Sequence, residues 1–322
     1  MQKAIIILFS LYVFSCAHLR DSKGDYNEVL ILSSYLDKTI SFKYIENIFS
    51  ESIHTPSEEF LYATKWIDPD EFKNYLKYRN VIFLSISEPK DSTIDILVDN
   101  FKYSYKENIF MLNDVYAKNQ ALLFLSFQDS IDMINKLSDN KEWIISSIDE
   151  NISKNMNSYM YRNGENFELK KQIDDYYKLD SKIQKDYMVV KDRFLDEAFL
   201  WIGRGYPYRW ITIEKTPYLD ELMLWYKLKE SVSKNMPNVK IVDYYKNILY
   251  ESDDIIKIQG LYEEEFSDSG GPFVSYVKIN RKLKEMLIVT GFANNPGKNK
   301  NRLLKELEIQ IKNIIGKDKN EK

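Results

Sequence analysis

One cysteine, Cys16, stands in a chain of 322 residues, which rules out any disulfide within the chain. Whatever this sequence folds into must therefore be held together by burial. Its composition suffices for that: 44% hydrophobic and 14% aromatic residues, in a chain this long, can close one large core or two modest ones. The cysteine also ends an apolar run, Ala4 to Phe14, which follows Lys3. That run has the length of a signal-peptide apolar segment and falls short of the roughly 20 residues that a membrane-spanning helix needs.

Val13-Phe14-Ser15-Cys16 resembles the bacterial lipobox, with an aliphatic residue three before the cysteine and a small one just before it. By that resemblance residues 1–15 are a lipoprotein signal peptide, and the Cys16 thiol takes a diacylglycerol whose palmitate-type chains hold the protein on a membrane. Each buried methylene contributes about 0.8 kcal/mol of membrane affinity. Ala17 follows where an aspartate would signal retention in the inner membrane, so the expected place is the cell envelope, outer membrane before inner. Loss of Lys3 leaves 44 basic against 49 acidic side chains, a net charge of about −5. Charge of one sign forms no long block, and no nucleic-acid partner is expected.

Hydrophobic periodicity gives an α+β fold in two halves, each a mainly antiparallel or mixed sheet covered by helices. Residues 16–27 read as a polar tether. Residues 28–161 form an N-terminal half of α/β type: a strand at Glu28–Ser33, a helix through Phe42 and Phe49, a strand from Phe60 to Trp66, and a helix start at Asp68-Pro69. Val81–Leu84 and Ala121–Leu125 are further strands. Ile131, Ile134 and Leu137, then Ile145, Ile148, Ile152, Met156 and Tyr159, predict two amphipathic helices. Residues 162–186 read as a helical connector. Residues 187–315 carry five strand candidates, at 199–202, 210–213, 255–262, 273–279 and 286–292, with one helix from Thr216-Pro217 and a last one on the stripe Leu303, Leu304, Leu307, Ile311 and Ile314. Residues 316–322 are a polar tail.

The order of landmarks resembles an uncharacterised family of bacterial lipoproteins, a domain-of-unknown-function family, over most of the mature chain. The similar stretches are Arg79-Asn80 before a strand, Tyr116-Ala117-Lys118-Asn119-Gln120 before the next, Phe199-Leu200-Trp201 with Pro207-Tyr208-Arg209-Trp210, Gly270-Gly271-Pro272-Phe273-Val274, and Gly291-Phe292 followed by Pro296-Gly297-Lys298. The resemblance implies a lipoprotein facing the periplasm or the cell surface, and brings no activity or catalytic residue with it.

Asp268-Ser269-Gly270-Gly271-Pro272 matches the nucleophile region of chymotrypsin-like proteases, where a histidine must bond the serine and be oriented by a buried aspartate. His18 lies in the tether, which leaves His54 in a loop-like segment. An envelope serine hydrolase using Ser269 and His54 is therefore the alternative reading, and a tight turn, with Gly270 and Gly271 free to take positive φ, is the simpler one. Glu263-Glu264-Glu265 with Asp268 lacks the regular oxygen spacing of a calcium loop. Lys298, Lys300, Arg302 and Lys305 alternate with Asn and Glu and read as the exposed face of the last helix, with contact to anionic lipid headgroups as the alternative. No catalytic, cofactor or metal residue is assigned, and no cofactor is expected. The best candidate for a recognition surface is Arg204, Tyr206, Tyr208 and Arg209, in a hairpin whose turn is Gly205 to Pro207 and which leaves Arg204, Tyr206 and Arg209 exposed. Aromatic faces beside guanidinium forks suit an envelope protein, a glycan or an anionic group. The expected function is that of a lipid-anchored binding or structural partner.

Overall fold

The structure is a computed structural model that describes residues 19–55, 57–87, 108–267 and 269–316, with Ile94 and Val98. Cys16, His18, Asp268 and the signal segment lie outside the described residues, as does the tail beyond Gly316.

Residues 28–160 fold around a five-stranded sheet. In chain order come β1 (Glu28–Leu32), α1 (Tyr35–Ile48), the small hairpin β2 (Ser52–His54) and β3 (Glu58–Phe60), β4 (Ala63–Ile67), α2 (Phe72–Tyr75), β5 (Asn80–Ile86), β6 (Ile109–Asn113), β7 (Ala121–Phe127) and α3 (Ser130–Met160). The sheet order is β4-β1-β5-β7-β6, parallel except for the edge strand β6. Parallel strands are covered on both faces, which is why β1, β5 and β7 read as unbroken apolar runs. One face meets Ile45 and Ile48 of α1 and the stripe of α3. The other packs Leu30, Phe83 and Phe124 with Phe72, Ile94 and Val98.

The two helices expected between residues 131 and 159 are one helix of 31 residues, about 46 Å long at 1.5 Å per residue. The polar break Ser138–Glu142 contains neither Gly nor Pro to interrupt it, and it is only a stretch where the helix turns an all-polar surface to water. The tether also ends sooner than expected. Asp21 bridges Lys118 and Lys23 bridges Tyr78, with Ser22 buried between them.

The second half adds α4 (Phe167–Tyr177), β8 (Met188–Arg193), α5 (Phe194–Glu197), β9 (Phe199–Arg204), β10 (Tyr208–Pro217), α6 (Leu224–Asn235), β11 (Val239–Ser252), β12 (Ile255–Glu264), β13 (Gly270–Asn280), β14 (Glu285–Asn294) and α7 (Asn301–Ile315). Its seven strands run β11-β12-β13-β14-β10-β9-β8, antiparallel throughout. Helices α4 and α7 cover one face and α6 the other. The expected connector is thus mostly a covering helix, since Leu169, Ile173 and Tyr177 of α4 enter the core. The helix expected from Thr216 begins later: Thr216 and Pro217 still pair with Met286 and Glu285, and Asp220 caps the short turn that leads into α6.

Helix α7 joins the halves. Its backbone N–H groups at Lys300 and Asn301 donate to the Glu59 carboxylate at 2.7 and 2.8 Å, so a residue of β3 supplies the acceptor that the first turn needs. Lys305 pairs with Asp149 of α3 at 2.8 Å, Asn313 bonds Asn157 at 2.9 Å, and Ile309 belongs to the first half's core. Among the described residues no helix is long and apolar enough to cross a membrane.

Candidate functional site

Side chains alternate across a strand, so Arg209 shares its face of β10 with Ile211 and Ile213 and lies opposite to Trp210. That face is the one under α7. Arg209 is accordingly only 6% exposed, which corrects the expectation of a free surface residue. Arg204 stands directly across from it on β9. Two like charges at opposed positions destabilise a sheet, and here each guanidinium is held by a carboxylate: Arg209 by Glu306 of α7, and Arg204 by Asp186. Glu306 also accepts from Arg302, one turn earlier, at 3.3 Å.

These groups line a cleft of about 570 Å³ where the end of α3, the β9–β10 hairpin and the first turns of α7 converge. Tyr159, Arg162, Lys185 and Arg302 complete its polar wall, and Met160, Pro207 and Leu303 its apolar one. Five of its side chains are cationic and two are carboxylates, an excess of three positive charges. Guanidinium–ring contacts order the rim. Arg162 lies 4.0 Å from the Tyr159 ring centre and Arg302 5.5 Å from it, while Tyr26 sits between Arg302 and Arg79 at 5.0 and 4.5 Å. Burial pushes the Tyr187 phenol, beneath Arg204, well above the usual range in spite of Arg209 and Arg204, so that ring stays neutral. The Nε of Arg209 is buried without a hydrogen-bond partner among the described residues. An unpaired donor on a charged, buried group is costly.

Of the four residues expected to form a recognition surface, the structure brings Arg204 and Arg209 together and leaves Tyr206 and Tyr208 outside the cleft. Tyr206 bonds Asn295 at 3.1 Å, and Tyr208 stacks on Trp210. Sequence reasoning missed Arg162, Tyr159 and Glu306. The last carried a signal, an acid between Leu303 and Leu307 on an apolar stripe. The basic cluster is not one exposed face either: Lys300 is buried, Arg302 enters the cleft, Lys305 pairs with Asp149, and Lys298 lies over the Tyr206 ring.

A second hollow, of about 740 Å³, lies between α3, α7 and strands β11 and β12. Its three lysines are each paired within it: Lys257 with Glu308 at 2.5 Å, Lys305 with Asp149 and Lys312 with Glu251. Burial pulls the Lys257 ammonium down, yet the Glu308 carboxylate beside it carries it above the usual lysine value.

The remaining motifs are structural. Ser269 accepts from Asn294 at 2.9 Å and donates to Glu264 at 3.4 Å, while His54 stacks on Tyr245 at 4.8 Å, so neither serves the other. Gly270 and Gly271 are strand residues, not a positive-φ turn. A Cβ on Gly271 would lie 2.1 Å from the Ala293 carbonyl oxygen, and one on Gly270 2.5 Å from that of Tyr262. Asn80 donates to the carbonyls of Tyr26 and Glu28, and Gln120 to those of Leu76 and Tyr78. Among the described residues no group of three His, Cys, Asp or Glu is placed to hold a metal ion.

Two family models match the chain. One, described as Domain of unknown function (DUF8532), covers residues 22–161, and the other, Domain of unknown function (DUF4837), covers residues 166–313. Together they span most of the sequence, and they divide between the end of α3 and the start of α4. No curated protein matches it.

Proposed function

We propose that this tandem of two domains of unknown function works as a lipid-anchored binding protein of the cell envelope, whose arginine cleft holds an anionic group of its ligand or partner. The anchor rests on the Val13-Phe14-Ser15-Cys16 pattern and on Cys16 being the sole cysteine. The observation that carries the binding role is the opposed pair Arg204 and Arg209 in a cleft whose lining holds an excess of three positive charges. Arginine forks match carboxylate and phosphate groups in geometry as well as charge.

Mass spectrometry of the mature N-terminus, with membrane fractionation of wild type and Cys16→Ser, tests the anchor. Acylated Cys16, and release of the variant, are expected; unmodified Cys16 removes the anchor. For the cleft, an envelope partner or ligand recovered with wild type should be lost from Arg204→Ala and Arg162→Ala. Undiminished recovery would exclude the cleft as the binding surface.

A further inference from the structure

We infer that the group bound in the arginine cleft is a phosphate carried on an organic residue, an inference that rests on the anion-binding reading above. A single carboxylate would leave most of the cleft's excess of three positive charges uncompensated. A phosphomonoester brings about −1.5 to −2 charge and three acceptor oxygens to the same spot. Those oxygens offer acceptors to the Arg162, Arg204 and Arg302 guanidinium groups that line the cleft together. The neutral Tyr187 ring beneath Arg204 adds no competing negative charge.

The volume calls for a carrier. About 570 Å³ is the size of a pocket for a small organic molecule, far larger than one phosphate group. Its apolar wall of Met160, Pro207 and Leu303, with the Tyr159 ring, would face whatever carries the phosphate. That carrier is either a free metabolite-sized molecule or a membrane headgroup, and the docked segment from Asp21 to Tyr26 runs up to the rim of the cleft, where Tyr26 meets Arg302.

The test is calorimetry on the mature chain kept soluble by Cys16→Ser, with phenyl phosphate, benzoate and inorganic phosphate as probes. Phenyl phosphate is expected to bind at least about tenfold more tightly than either of the others. Its binding should weaken by about tenfold or more, the worth of one lost charge-assisted contact, in Arg204→Gln and in Arg162→Gln. Both of these lie nearer the solvent than Arg209, and circular dichroism confirms that they fold. Lys215→Gln, which removes a pair with Glu285 elsewhere on the sheet, should bind as wild type does. Equal binding of benzoate overturns the phosphate assignment while the anion reading stands, and equal binding of inorganic phosphate overturns the carrier. No binding by any probe overturns both readings. Once phenyl phosphate has been shown to bind, sedimentation of the ligand-free protein with phosphatidylcholine vesicles that contain phosphatidic acid, but not with phosphatidylcholine alone, assigns the phosphate to a headgroup when it requires Arg204. Its failure to sediment assigns the phosphate to a free molecule.

Discussion

Glu306 is as buried as the arginine it holds, with both side chains 7% exposed, so the Arg209 charge depends on this carboxylate, which otherwise has only the longer contact from Arg302. Removing one partner of a buried pair costs about 3–5 kcal/mol, whereas replacing both by apolar groups is often neutral. Arg209→Leu alone should therefore lower the urea midpoint sharply, and Arg209→Leu with Glu306→Leu should recover most of the loss; a double variant no more stable than the single one would sink this account. A titrating residue, Tyr161, belongs to the seam between the halves. The Tyr161 hydroxyl has the Lys182 carbonyl at 2.8 Å and Gln310 Oε1 at 3.0 Å as acceptors for its one proton, and burial holds its phenol up at about 12 against 10. The folded chain then keeps a proton that the unfolded chain has lost. Stability is complete below pH 10 and falls as the pH climbs through 12, by at most about 2.7 kcal/mol at 1.36 kcal/mol per pH unit. Tyr161→Phe should cost about 1 kcal/mol at neutral pH and flatten that alkaline decline, as read from urea curves between pH 9 and about 11. At this scale the sequence was only half legible. Arg204 and Arg209 stood out as a pair, but the burial of Arg209 depended on α7 supplying Glu306 from 97 residues away.

Elements with apolar runs were legible and polar ones were not. β1, β5, β7, β12, β13 and β14 follow from their hydrophobic runs, because strands inside a sheet are buried along their length. β8 and β11 were missed. Both are edge strands, and their exposed residues blur the alternation that identifies a strand. The glycines show what the sequence marked without explaining. Gly271 sits where β13 enters the sheet between β12 and β14, and the Ala293 carbonyl leaves no room for a Cβ. Gly205, at the tip of the β9–β10 hairpin, has nothing within 4 Å of that position. Thermal melts should show Gly271→Ala strongly destabilised, as backbone must shift to admit the methyl, and Gly205→Ala within about 0.5 kcal/mol of wild type. Comparable melting of the two variants would mean that the contact around Gly271 relaxes at little cost.

For the whole molecule, the family boundary between residues 161 and 166 does not divide the physics, because α7 belongs to both sides. Its stripe of Leu303, Leu307, Ile311 and Ile314 closes the second core, Ile309 enters the first, and Glu59 of the first half holds its leading N–H groups. If the first half melts, α7 loses that acceptor together with the Asp149 and Asn157 contacts, and with α7 goes the cover of the second sheet. The two halves should therefore unfold in one transition. A protein that keeps only Trp66, which bonds Glu46 in the first half at 2.7 Å, reports one side. Another that keeps only Trp225, buried in the second core, reports the other. Their urea midpoints should coincide. Adding Glu59→Ala and Lys305→Ala to both should separate them, the first half becoming able to melt while the second sheet persists. Separate midpoints before those substitutions would show that α7 serves the second core alone, and would leave the arginine cleft, which spans both halves, without a rigid frame.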